Sequence, residues 1–131
     1  MKLLLDTHIW LWSTLEPDRV SRRVQKALTN PSNQLWLSPI SIWEALSLHS
    51  KNKVELNPDP ERWIAEALRV IPTTEAPVTH DVALETRRLI LPHRDPADRF
   101  LAATANVFGL ALVTADATLI EARCCPVLAN R

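Results

Sequence analysis

Glycine is nearly absent from this chain of 131 residues, with Gly109 as its one example. Dinucleotide-binding fingerprints, Walker A loops and the nucleophile elbow of α/β-hydrolases each need at least two glycines. The sequence therefore excludes glycine-based phosphate cradles and hydrolase elbows in their usual forms.

The spacing of the cysteines and the net charge also argue against particular kinds of site. The two cysteines, Cys124 and Cys125, are adjacent, which is not the C-x-x-C spacing of redox or zinc motifs and favours free thiols. Fifteen basic and 15 acidic residues give a formal net charge of zero. Any contact with nucleic acid must therefore come from local patches, because the overall charge is not basic.

Long apolar runs are missing as well. No segment approaches the roughly 18 apolar residues of a membrane span, and Asp6 and His8 interrupt the apolar N-terminus in a way that signal peptides do not. We therefore predict no membrane association and a cytoplasmic location. The length, with 47% hydrophobic residues, predicts a single domain over residues 1–131.

Short apolar segments alternate with helical patterns along the chain. We predict strands at residues 3–5, 34–37, 71–72, 111–114 and 126–127. We predict helices at residues 7–15, 18–28 (capped by Asp18), 39–50, 61–70 and 81–91, one opened by Asp95-Pro96, and a short one from residue 116. This alternation is typical of an α/β domain with a mostly parallel sheet.

Two aspartates directly follow predicted strands. Asp6 ends the first apolar strand, and Asp116 follows the strand at residues 111–114. In open parallel sheets, ligands bind beyond the carboxyl ends of the strands. Either aspartate fits a helix N-cap equally well, so both roles stay open for each.

Asp95 and Asp98 stand at the start of one predicted helix. A capping aspartate, a proline and an acid in the first turn are all favourable helix-start chemistry. Taken alone, this motif needs only a structural role, as the start of a helix.

Glu44 is harder to explain structurally. It lies between Ile40 and Leu48 on one face of a predicted helix, and a carboxylate in an apolar stripe is costly unless it is paired or binds a metal. The alternative is a side chain at the edge of the stripe that reaches water.

One pocket would account for all of these acids together. Two carboxylates about 4 Å apart repel by roughly 4 kcal/mol at an effective dielectric constant near 20, so a cluster raises its pKa values or binds a cation. Oxygen ligands favour Mg²⁺ or Mn²⁺, and such ions suit phosphodiester hydrolysis.

The order of motifs resembles a known family. L-L-L-D-T-H, W-E-A, H-R-D-P-A-D-R-F-L-A-A-T-A and L-V-T-A-D, from residue 3 to about residue 120, resemble the PIN domain and more specifically the VapC-type toxins of bacterial toxin–antitoxin pairs. The resemblance implies a three-layer α/β/α sandwich with a central, mostly parallel sheet. It also implies a metal-dependent ribonuclease that uses Mg²⁺ or Mn²⁺, acts on RNA, forms a homodimer and binds a small antitoxin.

Matched motif by motif, the resemblance places the site acids at Asp6, Glu44, Asp98 and Asp116. Asp98 is preferred to Asp95 because it directly precedes the family's R-F-L-A-A segment, which leaves Asp95 as the helix cap. Asp6 and Asp98 would hold a metal directly, Glu44 would share it or position water through a second ion, and Asp116 would complete the shell. Ala97 stands where an aromatic is common, which affects packing more than chemistry.

Several other residues have two open interpretations. Thr7 and Thr114 would bind a carboxylate or the local backbone. His8 would touch substrate or serve the helix start. His93 would lie near the pocket mouth. Arg94 and Arg99 would clamp a phosphate or balance the acidic cluster. A group at helical spacing would contact RNA phosphates or form a solvated helix face: Arg19, Arg22, Arg23 and Lys26. The five tryptophans are expected mostly in the core, with Trp10 or Trp12 at an interface.

Two alternatives to a toxin remain at this point. One is a PIN nuclease of RNA processing that has no antitoxin. The other is a non-catalytic PIN-like binding domain in which the acids only cap helices.

Overall fold

A single parallel sheet forms the centre of the fold. The computed structural model describes residues 1–92 and 95–131, and all the strand pairs within them are parallel. The strands are Lys2–Leu5 (β1), Gln34–Leu37 (β2), Thr74–Glu75 (β3), Ala111–Thr114 (β4) and Val127–Ala129 (β5). Their order across the sheet is β3-β2-β1-β4-β5.

Helices connect the strands. They are Thr7–Leu15 (α1), Arg22–Thr29 (α2), Pro39–Ser50 (α3), Pro60–Val70 (α4), His80–Glu85 (α5), Pro96–Phe108 (α6) and Ala117–Ala122 (α7), with 3₁₀ turns at Pro17–Arg19 and Thr86–Arg88. Among the residues described, none of these helices is long and apolar enough to span a membrane.

Alternating side chains of β1 separate two apolar layers. Leu3 and Leu5 are fully buried in one cluster and Leu4 in another, because successive strand residues point to opposite faces of a sheet. The first cluster takes side chains from α1, α2, α3 and α4, and the second from α5, α6 and α7. The predicted three-layer α/β/α sandwich is therefore confirmed, and the sheet is wholly parallel in its described strands.

The strand order reverses at β1. The chain passes from β1 to β2 and β3 on one side, then crosses to β4 on the other. The carboxyl ends of β1 and β4 therefore border a topological switch point, which is where open α/β sheets bind ligands. Leu5 pairs with Val113 there, so the residues that follow each strand become neighbours.

The predicted start of α2 is wrong. Asp18 lies in the 3₁₀ turn, and Ser21 caps α2 by accepting a hydrogen bond from the Val24 amide at 3.2 Å. Val20 is buried with an extended backbone, and this burial breaks the helical path between the turn and α2.

The predicted strand at residues 71–72 is wrong as well. Ile71 instead ends α4, with its amide bonded to the Ala67 carbonyl. The strand forms at Thr74–Glu75, which pair with Trp36 and Leu37. Pro72 has no amide hydrogen to give to a ladder, so pairing begins after it.

The helix predicted over residues 81–91 ends early. α5 stops at Glu85, a 3₁₀ turn follows, and Leu89 is extended and buried. The Arg99 guanidinium donates to the carbonyls of Thr86 at 3.2 Å and Leu91 at 2.9 Å. These bonds hold the chain in its non-helical path toward α6.

Candidate active site

A cavity of about 280 Å³ opens beyond the carboxyl ends of β1 and β4. The four carboxylates predicted from the sequence, those of Asp6, Glu44, Asp98 and Asp116, all line it. The rest of its lining is His8, Trp12, Asp95 and Ala115. The structure thus brings residues from four separate segments to one pocket.

Asp6 is fixed from two sides. Its Oδ1 accepts the Thr7 amide at 2.7 Å, which makes it the N-cap of α1, and its Oδ2 accepts the Thr114 hydroxyl at 2.6 Å. Burial raises the pKa of Asp6, the charge of Asp116 adds to this, and the Thr114 hydroxyl, His8 and the Thr7 amide oppose it. The carboxylate is therefore held in one orientation at an electrostatic cost.

Glu44 reaches the same region from α3. Its Oε1 accepts the Thr7 hydroxyl at 2.5 Å, and Thr7 Oγ1 also lies 2.9 Å from Ser41 Oγ. Burial raises the pKa of Glu44, the charges of Asp6 and Asp95 act in the same direction, and the Thr7 hydroxyl and His8 act against them. Glu44 is half-buried, and it is hydrogen-bonded to protein rather than extended only into water.

Asp98 and Asp95 both face the cavity, although they play different parts at the start of α6. Asp95 caps the helix by accepting the Ala97 amide at 3.0 Å. Asp98 is 7% exposed and shares a helix face with the buried Leu101 and Ala102, which directs it inward. The predicted cap at Asp95 is confirmed, and Asp95 also forms part of the cavity wall.

Asp116 follows β4 and caps α7. Its Oδ1 accepts the Leu119 amide at 3.1 Å, and its own amide donates to the Thr114 hydroxyl oxygen at 3.0 Å. Thr114 therefore contacts both acids that follow the central strands. Of the two interpretations left open for the threonines, the carboxylate contact is made by Thr7 with Glu44 and by Thr114 with Asp6, and Thr114 also makes the local backbone contact.

The chemistry of this lining fits a hard divalent cation. Its acidic groups offer carboxylate oxygens, which are the ligands that Mg²⁺ and Mn²⁺ prefer. Burial raises the pKa values of Asp6 and Glu44, and a cation beside them would stabilise their charged forms. Across residues 1–92 and 95–131, no three His, Cys, Asp or Glu side chains already have the spacing of a metal site.

The basic candidates have separate positions. His8 is exposed and lines the cavity, whereas Arg99 is used in the carbonyl contacts given above. Arg19 does not share a helix with Arg22, Arg23 and Lys26, contrary to the predicted spacing, because it lies in the 3₁₀ turn before α2. His93 and Arg94 lie outside the described residues.

The tryptophans are less uniformly buried than predicted. Trp10 is fully buried and meets Trp63 edge to face, with ring centroids 5.7 Å apart, whereas Trp43 is 62% exposed. Trp12, one turn after His8 on α1, forms part of the cavity wall. Its position at the site was missed, although the predicted helix over residues 7–15 already placed it one turn after the candidate His8.

The chain is thus a parallel α/β/α domain with an acidic pocket at the switch point of its sheet. Residues 3–123 match the family model of the PIN domain, and the chain belongs to that family. Ribonuclease VapC22 of Mycobacterium tuberculosis is 32% identical over 120 residues, which cover 89% of this chain and 88% of the relative. The predicted resemblance to PIN domains and to VapC proteins is confirmed.

Solved structures share the fold. A chain of DNA-bound VapBC from Salmonella typhimurium has a TM-score of 0.73 at 18% identity, covering 100% of this chain and 99% of that chain. A chain of VapBC2 from Rickettsia felis, bound to a DNA fragment from its promoter, has a TM-score of 0.72 at 15% identity, with 98% of both chains covered.

Proposed function

We propose that this chain, as a single PIN domain over residues 1–131, is a metal-dependent endoribonuclease that cleaves RNA phosphodiester bonds. The observation that carries the proposal is the convergence of Asp6, Glu44, Asp98 and Asp116 on one cavity at the switch point. The similarity to Ribonuclease VapC22 supports RNA as the substrate. Family membership implies a divalent cation, and we assign it as Mg²⁺ or Mn²⁺ from the oxygen donors.

In this proposal Asp6 and Asp98 hold the cation, Glu44 shares it, and Asp116 completes the shell. When bound, a divalent cation activates water and offsets charge on the phosphate. The chain's own part is orientation: the hydroxyls of Thr114 and Thr7 aim the carboxylates of Asp6 and Glu44.

Glu44 is also suited to moving a proton. Its carboxylate lines the cavity in which water activated by the cation would lie, and a carboxylate placed there can accept a proton from that water. Its half-buried place on the cavity wall leaves a path to solvent for that proton. Glu44 therefore accepts the proton of the attacking water, or positions that water, in the proposed reaction.

A toxin of a type II toxin–antitoxin pair is the biological role that the comparisons favour. The solved structures that share the fold include VapBC complexes, and one other is described as a toxin–antitoxin complex from Klebsiella pneumoniae. We further propose, from the family resemblance, that the chain forms a homodimer and is inhibited by a small cognate antitoxin, and we place it in the cytoplasm.

Cleavage of RNA in the presence of Mg²⁺ or Mn²⁺ tests the nuclease. We expect cleavage that a chelator abolishes and that Asp98→Asn reduces by at least a hundredfold. Asp59→Asn is the control, because Asp59 is likewise an acid at the start of a helix but is not part of the cavity lining. A wild-type chain that leaves RNA intact with either metal, or equal activity in Asp98→Asn, would favour the non-catalytic alternative.

Expression in a bacterial host distinguishes the toxin from a nuclease of RNA processing. A toxin arrests growth, and co-expression of a small protein encoded beside it restores growth. Cleavage in vitro without growth arrest would indicate the RNA-processing role instead.

A further inference from the structure

The proposed substrate meets a strongly acidic pocket. Five carboxylates line the cavity, and His8 is the one side chain of its described lining that can become positively charged. RNA brings a negative charge with every phosphate. A cation held by these carboxylates would serve the phosphate that reacts, so the neighbouring phosphates need positive charges from the chain itself.

Two contacts connect Arg19 to the lining of this cavity through Trp12 and His8. His8 and Trp12 are four residues apart on α1, so they share a face, and their ring centroids lie 5.6 Å apart. The guanidinium carbon of Arg19 lies 4.1 Å from the centroid of the Trp12 ring. An arginine is thereby placed directly against a side chain of the cavity wall.

The backbone around Arg19 is held by amide side chains from two other parts of the chain. Asn130 Nδ2 donates to the Arg19 carbonyl at 2.9 Å, and Gln25 Nε2 donates to the carbonyls of Pro17 at 3.0 Å and Val20 at 2.9 Å. The Ser21 amide completes this arrangement by donating to Asn130 Oδ1 at 2.7 Å. The turn that carries Arg19 is therefore fixed on both sides of the residue.

The Arg19 side chain itself stays accessible. It is 55% exposed, and its ion pair with Glu16, at 3.5 Å, is on the surface, where such pairs are weak and readily exchanged. A guanidinium that lies over an aromatic ring keeps the N–H donors at its edge available for a phosphate. Arg19 thus has a backbone held by hydrogen bonds, a guanidinium plane ordered by the Trp12 ring, and N–H donors that solvent can reach.

We infer, on the basis of the RNA substrate proposed above, that Arg19 binds a backbone phosphate of single-stranded RNA beside the cavity, with Trp12 as its positioning residue. Arg19 contributes charge and two-point hydrogen bonding to a phosphate that does not react. Trp12 sets the plane of the guanidinium through its ring.

The salt dependence of RNA binding tests the role of Arg19. Binding of a fluorophore-labelled pool of single-stranded RNA with randomised sequence is measured in an Asp98→Asn background, in a chelator, at several monovalent salt concentrations. A plot of log K against log salt has a negative slope, and loss of one phosphate contact makes this slope less steep by about 0.7 for single strands. If the plots for the variant and the parent protein meet at 1 M salt, this corresponds to about fivefold weaker binding at 0.1 M salt. We expect this change for Arg19→Gln, and we expect Arg19→Lys to retain the slope.

Arg69→Gln is the matched control. Arg69 is also an exposed arginine paired with a glutamate three residues earlier, and it is not part of the cavity lining. An unchanged slope in Arg19→Gln, or an equal fall in Arg69→Gln, would overturn the inference while wild-type cleavage of RNA, measured in parallel, still supports the proposed function. Absence of both cleavage and binding by the parent proteins would contradict the proposed function and the phosphate contact together.

Trp12 is tested through its coupling to Arg19. Trp12→Leu should weaken RNA binding about as much as Arg19→Gln, Trp12→Phe should restore most of the affinity, and the double variant Trp12→Leu/Arg19→Gln should be no weaker than either single variant. In the active chain these changes should raise KM and leave kcat nearly unchanged. Additive losses in the double variant, or a lower kcat at unchanged KM, would contradict a positioning role.

Discussion

The Thr114 hydroxyl donates to Oδ2 of Asp6 over 2.6 Å and joins two residues that are 108 positions apart in the chain. Thr114 is the last residue of β4, and Asp6 directly follows β1, so the bond spans the two central strands at the switch point. Its effect is to hold one carboxylate oxygen still and to oppose the rise that burial causes in the pKa of Asp6.

Replacement of Thr114 by valine should show how much this bond contributes. Thr114→Val keeps the shape but removes the partner of Asp6 Oδ2 and of the Asp116 amide. Because a buried charged group then loses a hydrogen bond, we expect about 1 to 3 kcal/mol lower free energy of unfolding near neutral pH. Urea denaturation measures this, with Thr114→Ser as the control that keeps the hydroxyl. Equal stability of the two variants would show that the bond is not made in solution.

The raised pKa of Asp6 makes stability depend on pH. The folded-state pKa lies above the ordinary value of 3.8, so the folded protein binds this proton more tightly than the unfolded chain does. Stability is therefore lost as pH rises from about 4 through the folded-state pKa, by about 1.4 kcal/mol for each unit that the pKa is raised. Asp6→Asn keeps a good capping residue and should be more stable than the wild type at pH 7 in a chelator, with the difference vanishing in acid.

Urea unfolding across this pH range checks the effect. Asp59→Asn controls for the loss of a capping carboxylate away from the cavity. A wild type that is more stable than Asp6→Asn at pH 7 would mean that the hydrogen bonds of Asp6 outweigh its burial.

Replacement of two tryptophans should have very different effects on the free energy of unfolding. Trp10 is fully buried against Trp63, so Trp10→Ala should lower the free energy of unfolding by about 3 to 5 kcal/mol. Trp43 is 62% exposed, and Trp43→Ala should change it by no more than about 0.5 kcal/mol. Chemical denaturation of both variants measures the contrast, and similar losses would indicate that Trp43 is buried in solution, for example at a subunit interface.

Much of the fold could be predicted because local signals and the buried pattern agree. β1 is an apolar run ended by an acid, and α3 begins with the Ser38-Pro39 pair, in which Ser38 caps the helix and Pro39 occupies its first turn. The errors fall where distant contacts override local preference. Ser21 replaces Asp18 as a cap because Val20 is drawn into the core, and α5 ends early where Arg99 binds carbonyls from another segment.

The candidate site was predictable in position and less so in detail. Residues that follow parallel strands lie at one edge of the sheet, which made Asp6 and Asp116 candidates. The apolar stripe around Glu44 indicated an inward acid, and the family resemblance selected Asp98 over Asp95. The capping and cavity roles of Asp6, Asp95 and Asp116 turned out to be compatible, because a cap can use one oxygen of a carboxylate that also faces a pocket. The Trp12–Arg19 contact depends on how the turn before α2 folds back, and no local pattern encodes that path.

Mn²⁺ binding, followed by calorimetric titration, tests the shared carboxylate site most directly. Wild-type protein and Asp59→Asn should bind Mn²⁺ with equal affinity, and Asp6→Asn and Asp98→Asn should each bind it at least tenfold more weakly. A wild-type chain that binds no Mn²⁺, or an Asp98→Asn variant that binds it as tightly as the wild type, would contradict a cation held among Asp6, Glu44, Asp98 and Asp116.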